Sequence, residues 1–183
     1  MSIRVDLLTE AADVDALRDQ LASVYRSAFC APEYGETEAN VRNFAVEQLP
    51  LHVTRAGFRM AVAFNEGDQV VGFAYGYTGH RGQWWSEYVA ERAPADVVAE
   101  WLGGHFEFVE LAVAQDAQRQ GTGQRLHDVL LSGLPHSRAL LTTYARDLPA
   151  PRLYRRAGWE LLVDHLDEDN SLYGLRLQSE QSG

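Results

Sequence analysis

The segment 111–126, LAVAQDAQRQGTGQRL, places the tightest limit on the fold, because it reads as the end of a strand, a turn rich in main-chain donors and the start of a helix. The residues leading into it, FEFVELAV, are apolar and β-prone, and Leu126, Val129, Leu130 and Leu134 after it recur at helical spacing. Gly121 and Gly123 carry no side chain that would hold a ligand away from the main chain. The unpaired N–H groups and positive dipole end of a helix starting there suit an anion such as a phosphate. A nucleotide phosphate loop is excluded, since no Gly-Lys-Ser/Thr completes it. The dinucleotide fingerprint would need another glycine before Gly121.

The 183 residues, 46% of them hydrophobic, fit a single domain over 1–177 with a core of its own. The tail 178–183 is expected to fray. Cys30 is the only cysteine and no Cys/His cluster has zinc-ligand spacing, so a reducing interior without a metal is expected. The N-terminus turns acidic before any apolar run of signal or membrane length, which points to a cytoplasmic protein without membrane contact. A formal net charge of −10 argues against nucleic acid as a partner and is compatible with a cationic amine. Arg119, Arg125, Arg138, Arg146, Arg152, Arg155 and Arg156 concentrate in the second half.

Ile3, Val5 and Leu7 alternate as a first strand, and Val14, Leu17, Leu21 and Val24 repeat at helical spacing. A break at 31–35 precedes a second helix over 37–49. The runs 58–64 and 70–75 flank Asn65-Glu66-Gly67-Asp68 and predict a hairpin. Residues 78–104 are the least regular stretch, with a short helix over 96–102, and suggest a substrate-side insertion. A strand at 140–144, a helix at 149–157 and a strand pair at 159–163 and 172–177 complete the chain. Pattern alone limits the class to α/β or α+β.

Gln118, Gly121 and Gly123 fit the coenzyme loop Gln/Arg-x-x-Gly-x-Gly/Ala of the GNAT superfamily of N-acetyltransferases, and the chain resembles that family here. A later segment, Asp147, Ala150, Leu153-Tyr154 and Gly158-Trp159, is similar to the family's second motif, with Asp147 where Asn is usual. Ala114-Gln115 stands where a Pro often follows the strand, and residues 1–105 match only in general pattern. The resemblance implies a mixed, mostly antiparallel sheet with helices on both faces and a splayed central parallel strand pair, 107–114 and 140–144. It implies acetyl-CoA as cosubstrate, held by the main chain of Leu111, Ala112 and Val113, by Gln118, Arg119, Gln120, Gly121, Thr122, Gly123 and Gln124, and by Asp147, Ala150 and Tyr154. Transfer would go to a primary amine in a ternary complex, with a small molecule as the expected acceptor and a protein amine as the other class. The protein would act as a monomer or homodimer.

Acetyl transfer needs a fixed thioester, a deprotonated nucleophile and a proton for the departing thiolate. A backbone N–H near 111–113 is placed to stabilise the oxyanion. Glu107 and Glu110 are carboxylates in an apolar strand, where a raised pKa would suit a general base. Alternation puts them on opposite faces unless a bulge intervenes. Glu107 lies where the resemblance puts the base of several relatives and Glu110 where others carry a substrate-contacting acid; both are candidates for a general base acting through water, and either side chain alternatively ends in solvent or pairs with an Arg. Tyr154 falls where the resemblance implies the acid, and a phenol stays protonated until the sulfur acquires charge. The tryptophan pair Trp84 and Trp85 suits an acceptor wall or a local mini-core, and Tyr34 is a further acceptor-side candidate. His80, His105, His127, His136 and His165 are scattered, and only the first two flank the expected substrate side. The competing reading is a GNAT-like domain that binds acyl-CoA or a partner without catalysis.

Overall fold

A computed structural model describes residues 2–178. The run 179–183 of the tail expected to fray lies outside them. Seven strands follow the order β1-β2-β3-β4-β5-β7-β6, with helices, in a mixed and mostly antiparallel sheet. They are β1 (Arg4–Leu8), β2 (Arg59–Phe64), β3 (Val70–Gly79), β4 (His105–Val113), β5 (Arg138–Tyr144), β6 (Glu160–Val163) and β7 (Asn170–Arg176). The expected parallel pair is β4 and β5, with Phe106 opposite Ala139 and Glu107 opposite Leu140. The chain divides into two compact units. One comprises the residues up to Tyr77 together with Val109–Ser132, the other Thr78–Phe108 together with the residues from Gly133 onward. Among the described residues no helix is long and apolar enough to cross a membrane.

The first unit forms around the hairpin of β2 and β3, whose turn is built as its residues require. The Asn65 side-chain oxygen accepts from the N–H groups of Gly67 (2.9 Å) and Gln69 (3.0 Å), and Asp68 takes a left-handed φ of 56°. Helical residues pack on the sheet from α1 (Ala11–Ala16), α2 (Arg18–Phe29), α3 (Glu38–Asn43) and α4 (Leu49–His52). Their core joins Val14, Leu21, Val24, Val41, Phe44 and Leu49 to Met60, Val62, Phe73 and Tyr75, each side chain worth roughly 1.5–3 kcal/mol of burial. Val109 and Ala112 both pack against this cluster although three apart, so the two-residue alternation of β4 is broken between them.

Two expectations change here. The single first helix is two, because Leu17 leaves the helical region at φ −101° and ψ 2°. The helix expected to stop at Leu49 continues to His52, through a π-helical turn over Phe44–Gln48. Pro50 sits in the first turn of α4, where its missing N–H leaves no bond unmade, so a residue that reads as a stop instead opens a new helical register.

The second unit holds a smaller core of Val89, Trp101, Leu140, Leu166 and Leu172, with Trp85 and Tyr88 packed against it. The stretch read as irregular supplies α5 (Trp84–Arg92) and α6 (Ala95–Trp101). The first of these escapes the sequence because its inward face is made of Trp, Ser and Tyr as well as Val89. Arg138 braces the exit from α6, donating from Nε to the Trp101 carbonyl (2.9 Å) and from Nη2 to the Gly103 carbonyl (2.6 Å).

Gly79 ends β3 against the buried His105 ring, which a Cβ at this position would penetrate. The His105 Nδ1 accepts from the Gly103 N–H (3.2 Å), and burial holds the ring neutral by pushing its pKa down to about 3, helped by Arg138, His136 and His80. Gly79→Ala is therefore expected to cost about 1–3 kcal/mol of stability. A denaturation midpoint equal to that of the parent would show that the ring yields freely.

Candidate active site

Beyond β4 the chain makes a 3₁₀ turn at Gln115–Ala117, passes through 118–121 and enters α7 (Thr122–Leu131). The Gln118 side chain donates to the Val113 carbonyl (2.9 Å), Gln120 to the Asp116 carbonyl (3.0 Å) and Thr122 to the Ala117 carbonyl (3.1 Å). These bonds fold the loop onto its own main chain. Arg119 and Gly121 adopt left-handed φ values of 60° and 78°, a conformation that turns successive N–H groups toward one side. Gly121 is the N-cap of α7 and no side chain caps that helix end. An added Cβ on Gly121 would find no protein atom within 4 Å. Behind the loop, α7 sits close to the sheet: a Cβ on Gly72 would meet Leu126 at 3.0 Å and the Ala112 carbonyl at 3.1 Å.

In the same unit Glu110 stands among groups that no local pattern brings together. Part of the residue reaches the surface, yet burial of its carboxyl pushes its pKa up to about 8. The Glu36 charge adds to this, and a hydrogen bond from the Leu111 N–H opposes it. That N–H is thus directed at the carboxyl. Glu36 is itself raised by burial. Tyr34, half-buried, meets the Phe29 ring edge-on at 5.7 Å, and burial followed by the Glu33 charge raises its hydroxyl.

Tyr75, fully buried, is acted on by the Glu110 charge and is raised well above the usual phenol range, mainly by burial. Its oxygen accepts from Gln48 Nε2 (3.2 Å) and lies 3.0 Å from His52 Nδ1. Sequence reasoning missed Tyr75, Gln48, His52 and Glu36. The available signal was the four-residue spacing of Gln48 and His52, which puts both on one helical face.

In the second unit Tyr154 is buried on α8 (Pro149–Arg156), with Phe108 at 5.7 Å and Trp159 at 5.8 Å, both edge-to-face. Glu107 is buried at the parallel pair with β5. Asp147 is engaged by Arg152 (2.7 and 2.9 Å) and Arg155 (3.1 Å), which hold its carboxyl down at about 2. As an exposed cluster this contributes little to stability, but it aligns the entry to α8, where Ala150 lies. Arg152 and Arg155 are thereby turned to the protein's own carboxylate, as Arg125 is to the Ile3 carbonyl.

The tryptophan pair separates. Trp85 packs on the small core and donates to the Thr142 hydroxyl (3.2 Å), the mini-core alternative for this residue. Trp84 is 76% exposed and stacks on Tyr88 at 5.3 Å.

A strand that ends in an uncapped, glycine-led helix start lies in the first unit, and a buried tyrosine on the helix after the next parallel strand lies in the second. The chain belongs to the acetyltransferase (GNAT) family, whose sequence model matches residues 19–159. A GCN5-like protein acetyltransferase of Mycobacterium tuberculosis is 38% identical over 102 residues, covering 51% of this chain. The chain spans about half the length of that curated relative, 50%. Two solved structures share the fold. PH1933 of Pyrococcus horikoshii has a TM-score of 0.68 at 21% identity, over 97% of this chain and 100% of that one. The PaiA N-acetyltransferase of Thermoplasma acidophilum, in complex with coenzyme A, has a TM-score of 0.64 at 12% identity over the same shares.

Proposed function

We propose that the protein transfers the acetyl group of acetyl-CoA to a primary amine by direct attack, with Glu110 as general base and Tyr154 as general acid. The observation that carries this reading is the Glu110 carboxyl, which burial and Glu36 hold near 8, within reach of neutral pH. The Glu110 carboxylate takes a proton from the acceptor ammonium, and the free amine attacks the thioester carbonyl carbon. The Ala112 or Val113 N–H stabilises the oxyanion, the C–S bond breaks, the thiolate takes the Tyr154 phenolic proton, and the second proton shed by the nitrogen as the amide forms restores the phenol. The coenzyme phosphates go to the main chain of Gln118, Arg119, Gln120, Gly121, Thr122, Gly123 and Gln124, with Leu111 beside the pantetheine arm. Asp147 and Ala150 complete the coenzyme side. Tyr34 and the exposed Trp84 are the acceptor-side aromatics of this reading, while Trp85 packs on the small core.

Of the two carboxylates, Glu110 is assigned the base because its carboxyl is raised into the neutral range. The parent should show an acidic limb in kcat/KM with a midpoint near 8 that Glu110→Gln abolishes and Glu107→Gln keeps. Stability gives an independent readout. A carboxyl raised from 4.5 to about 8 contributes stability that is fully present below 4.5 and is lost as pH rises through 8. Glu110→Gln should therefore flatten the thermal-melt profile over that window, and a profile like the parent's would remove Glu110 from the role.

Release of thiol from acetyl-CoA against a panel of small amines, amino acids and peptides bearing free N-termini or lysines tests the activity itself. A titration of coenzyme binding run beside it separates transfer from binding alone. Turnover with a small amine is expected. Coenzyme binding without turnover on any member of the panel would overturn the proposal in favour of an acyl-CoA sensor.

A further inference from the structure

Three arginines are half-buried, and two of them have carbonyl partners. Arg59 donates to the Ser132 carbonyl at 2.8 Å, and Arg138 to the Trp101 and Gly103 carbonyls at 2.9 and 2.6 Å. The side chain of the third, Arg55, has neither a carbonyl nor a carboxylate partner among the described residues, and its Nε is enclosed without an acceptor. Its guanidinium carbon instead lies 5.1 Å from the centre of the Tyr77 ring. The chain carries 26 Asp and Glu against 16 Lys and Arg, so a cation without a carboxylate is not a matter of scarcity.

The surroundings of Arg55 are fixed and neutral. Its N–H donates to the His52 carbonyl (3.0 Å) and its carbonyl accepts from the Phe58 N–H (3.2 Å), which closes the turn between α4 and β2. Tyr77, buried near the end of β3, has the His52 ring at 5.0 Å. The His52 ring is 5.8 Å from Tyr75, which in turn lies 5.8 Å from Phe58. Burial, then the Arg55 charge itself, keeps His52 uncharged, with its pKa pushed down to about 4. A guanidinium stays ionised at any working pH and loses hydration when it is half-buried. The face of an aromatic ring offsets part of that loss but does not replace an oxygen acceptor.

We propose that the Arg55 guanidinium, stacked on Tyr77 and ion-paired with no described residue, is a binding site for the carboxylate of a small ligand. One cation among neutral rings balances one negative charge, which a carboxylate carries and a phosphate exceeds. A carboxylate also matches the guanidinium fork with two parallel N–H···O bonds.

N-acetylglycine and N-acetylglycinamide test this, since they differ in the carboxylate and neither offers a primary amine to be acetylated. Titrated into the nitrogen-15-labelled full chain at low salt, N-acetylglycine should shift the Arg55 Nε–H signal saturably and raise the melting temperature, while the amide does neither. Arg55→Gln should weaken N-acetylglycine binding at least about tenfold, and Arg55→Lys, which keeps the charge but not the fork, should fall between. An equal response to the two compounds, no response to either, or parental affinity in a folded Arg55→Gln would overturn the proposal. The first two of these results need only the parent protein, so the test stands even if a variant fails to fold.

The carboxylate has two possible sources, the amine acceptor itself or a separate ligand, and glycine and glycinamide as acceptors distinguish them. A KM for glycine that Arg55→Gln raises at least about tenfold, with the KM for glycinamide unchanged, would support the site and make amino acids the acceptor class. Loss of N-acetylglycine binding with both KM values unchanged would support it as the site of a separate carboxylate. Binding that follows Arg55 without turnover of any amine would support the site and count against acetyl transfer.

Discussion

Tyr154→Phe is expected to turn over at about one hundredth of the parental rate or less while binding acetyl-CoA as before. The substitution is mild because the ring is what the surroundings hold. Phe108 and Trp159 each meet Tyr154 edge-to-face, contacts that a phenyl ring repeats. On the proposed mechanism what is lost is the proton offered to the coenzyme thiolate, so the deficit should fall on kcat and leave the coenzyme dissociation constant within about twofold. A variant with the parental rate would mean that water or another group protonates the sulfur, and Tyr154 would be a packing residue only.

Gly121→Val should weaken acetyl-CoA binding at least about tenfold, or roughly 1.4 kcal/mol. Nothing of the protein lies within 4 Å of a Cβ added there, so on the proposed coenzyme site the side chain would compete with the phosphates and not with the fold. The φ of 78° adds strain of its own, which a β-branched residue tolerates worst. Gly121→Ala separates the two effects, since it adds a Cβ at the same left-handed position but occupies much less ligand space. Affinities measured by calorimetry should fall in the order Gly, Ala, Val in proteins with intact melts. Parental affinity in a folded Gly121→Val would place the phosphates elsewhere.

The parts of the fold legible in the sequence are those specified by neighbours along the chain. The hairpin was marked by Asn65 and Gly67, whose bonds close within five residues. The strand, glycine turn and helix around Gly121 likewise carry their own punctuation. Less legible was α5, because a helix whose buried face mixes Trp85, Ser86, Tyr88 and Val89 has no clean apolar period. The broken alternation of β4 between Val109 and Ala112 could be anticipated in kind but not placed. The setting of Glu110 was hidden for a different reason. Its neighbours Glu36 and Tyr75 lie far away in the chain, and only the folded sheet and helices bring their charges to bear. Sequence identified the acidic candidates; their surroundings are set by tertiary structure.

The π-helical turn at Phe44–Gln48 makes the geometry around Tyr75 a matter of residue count. Each residue of an α-helix advances the side chains by about 100° around the axis. Were the same residues to close as α-helical turns, everything from Leu49 to His52 would be rotated by about that angle relative to α3, though the amino acids themselves were unchanged. Leu49 would leave the core it now fills and His52 would leave the phenol, so packing and hydrogen bonding select the same length. The register of this helix is in effect a gauge block: its length, more than the identity of any side chain within it, sets which group reaches Tyr75. Substitutions in the exposed Val46 can therefore drift without consequence at that hydroxyl, whereas a change in how this turn closes cannot.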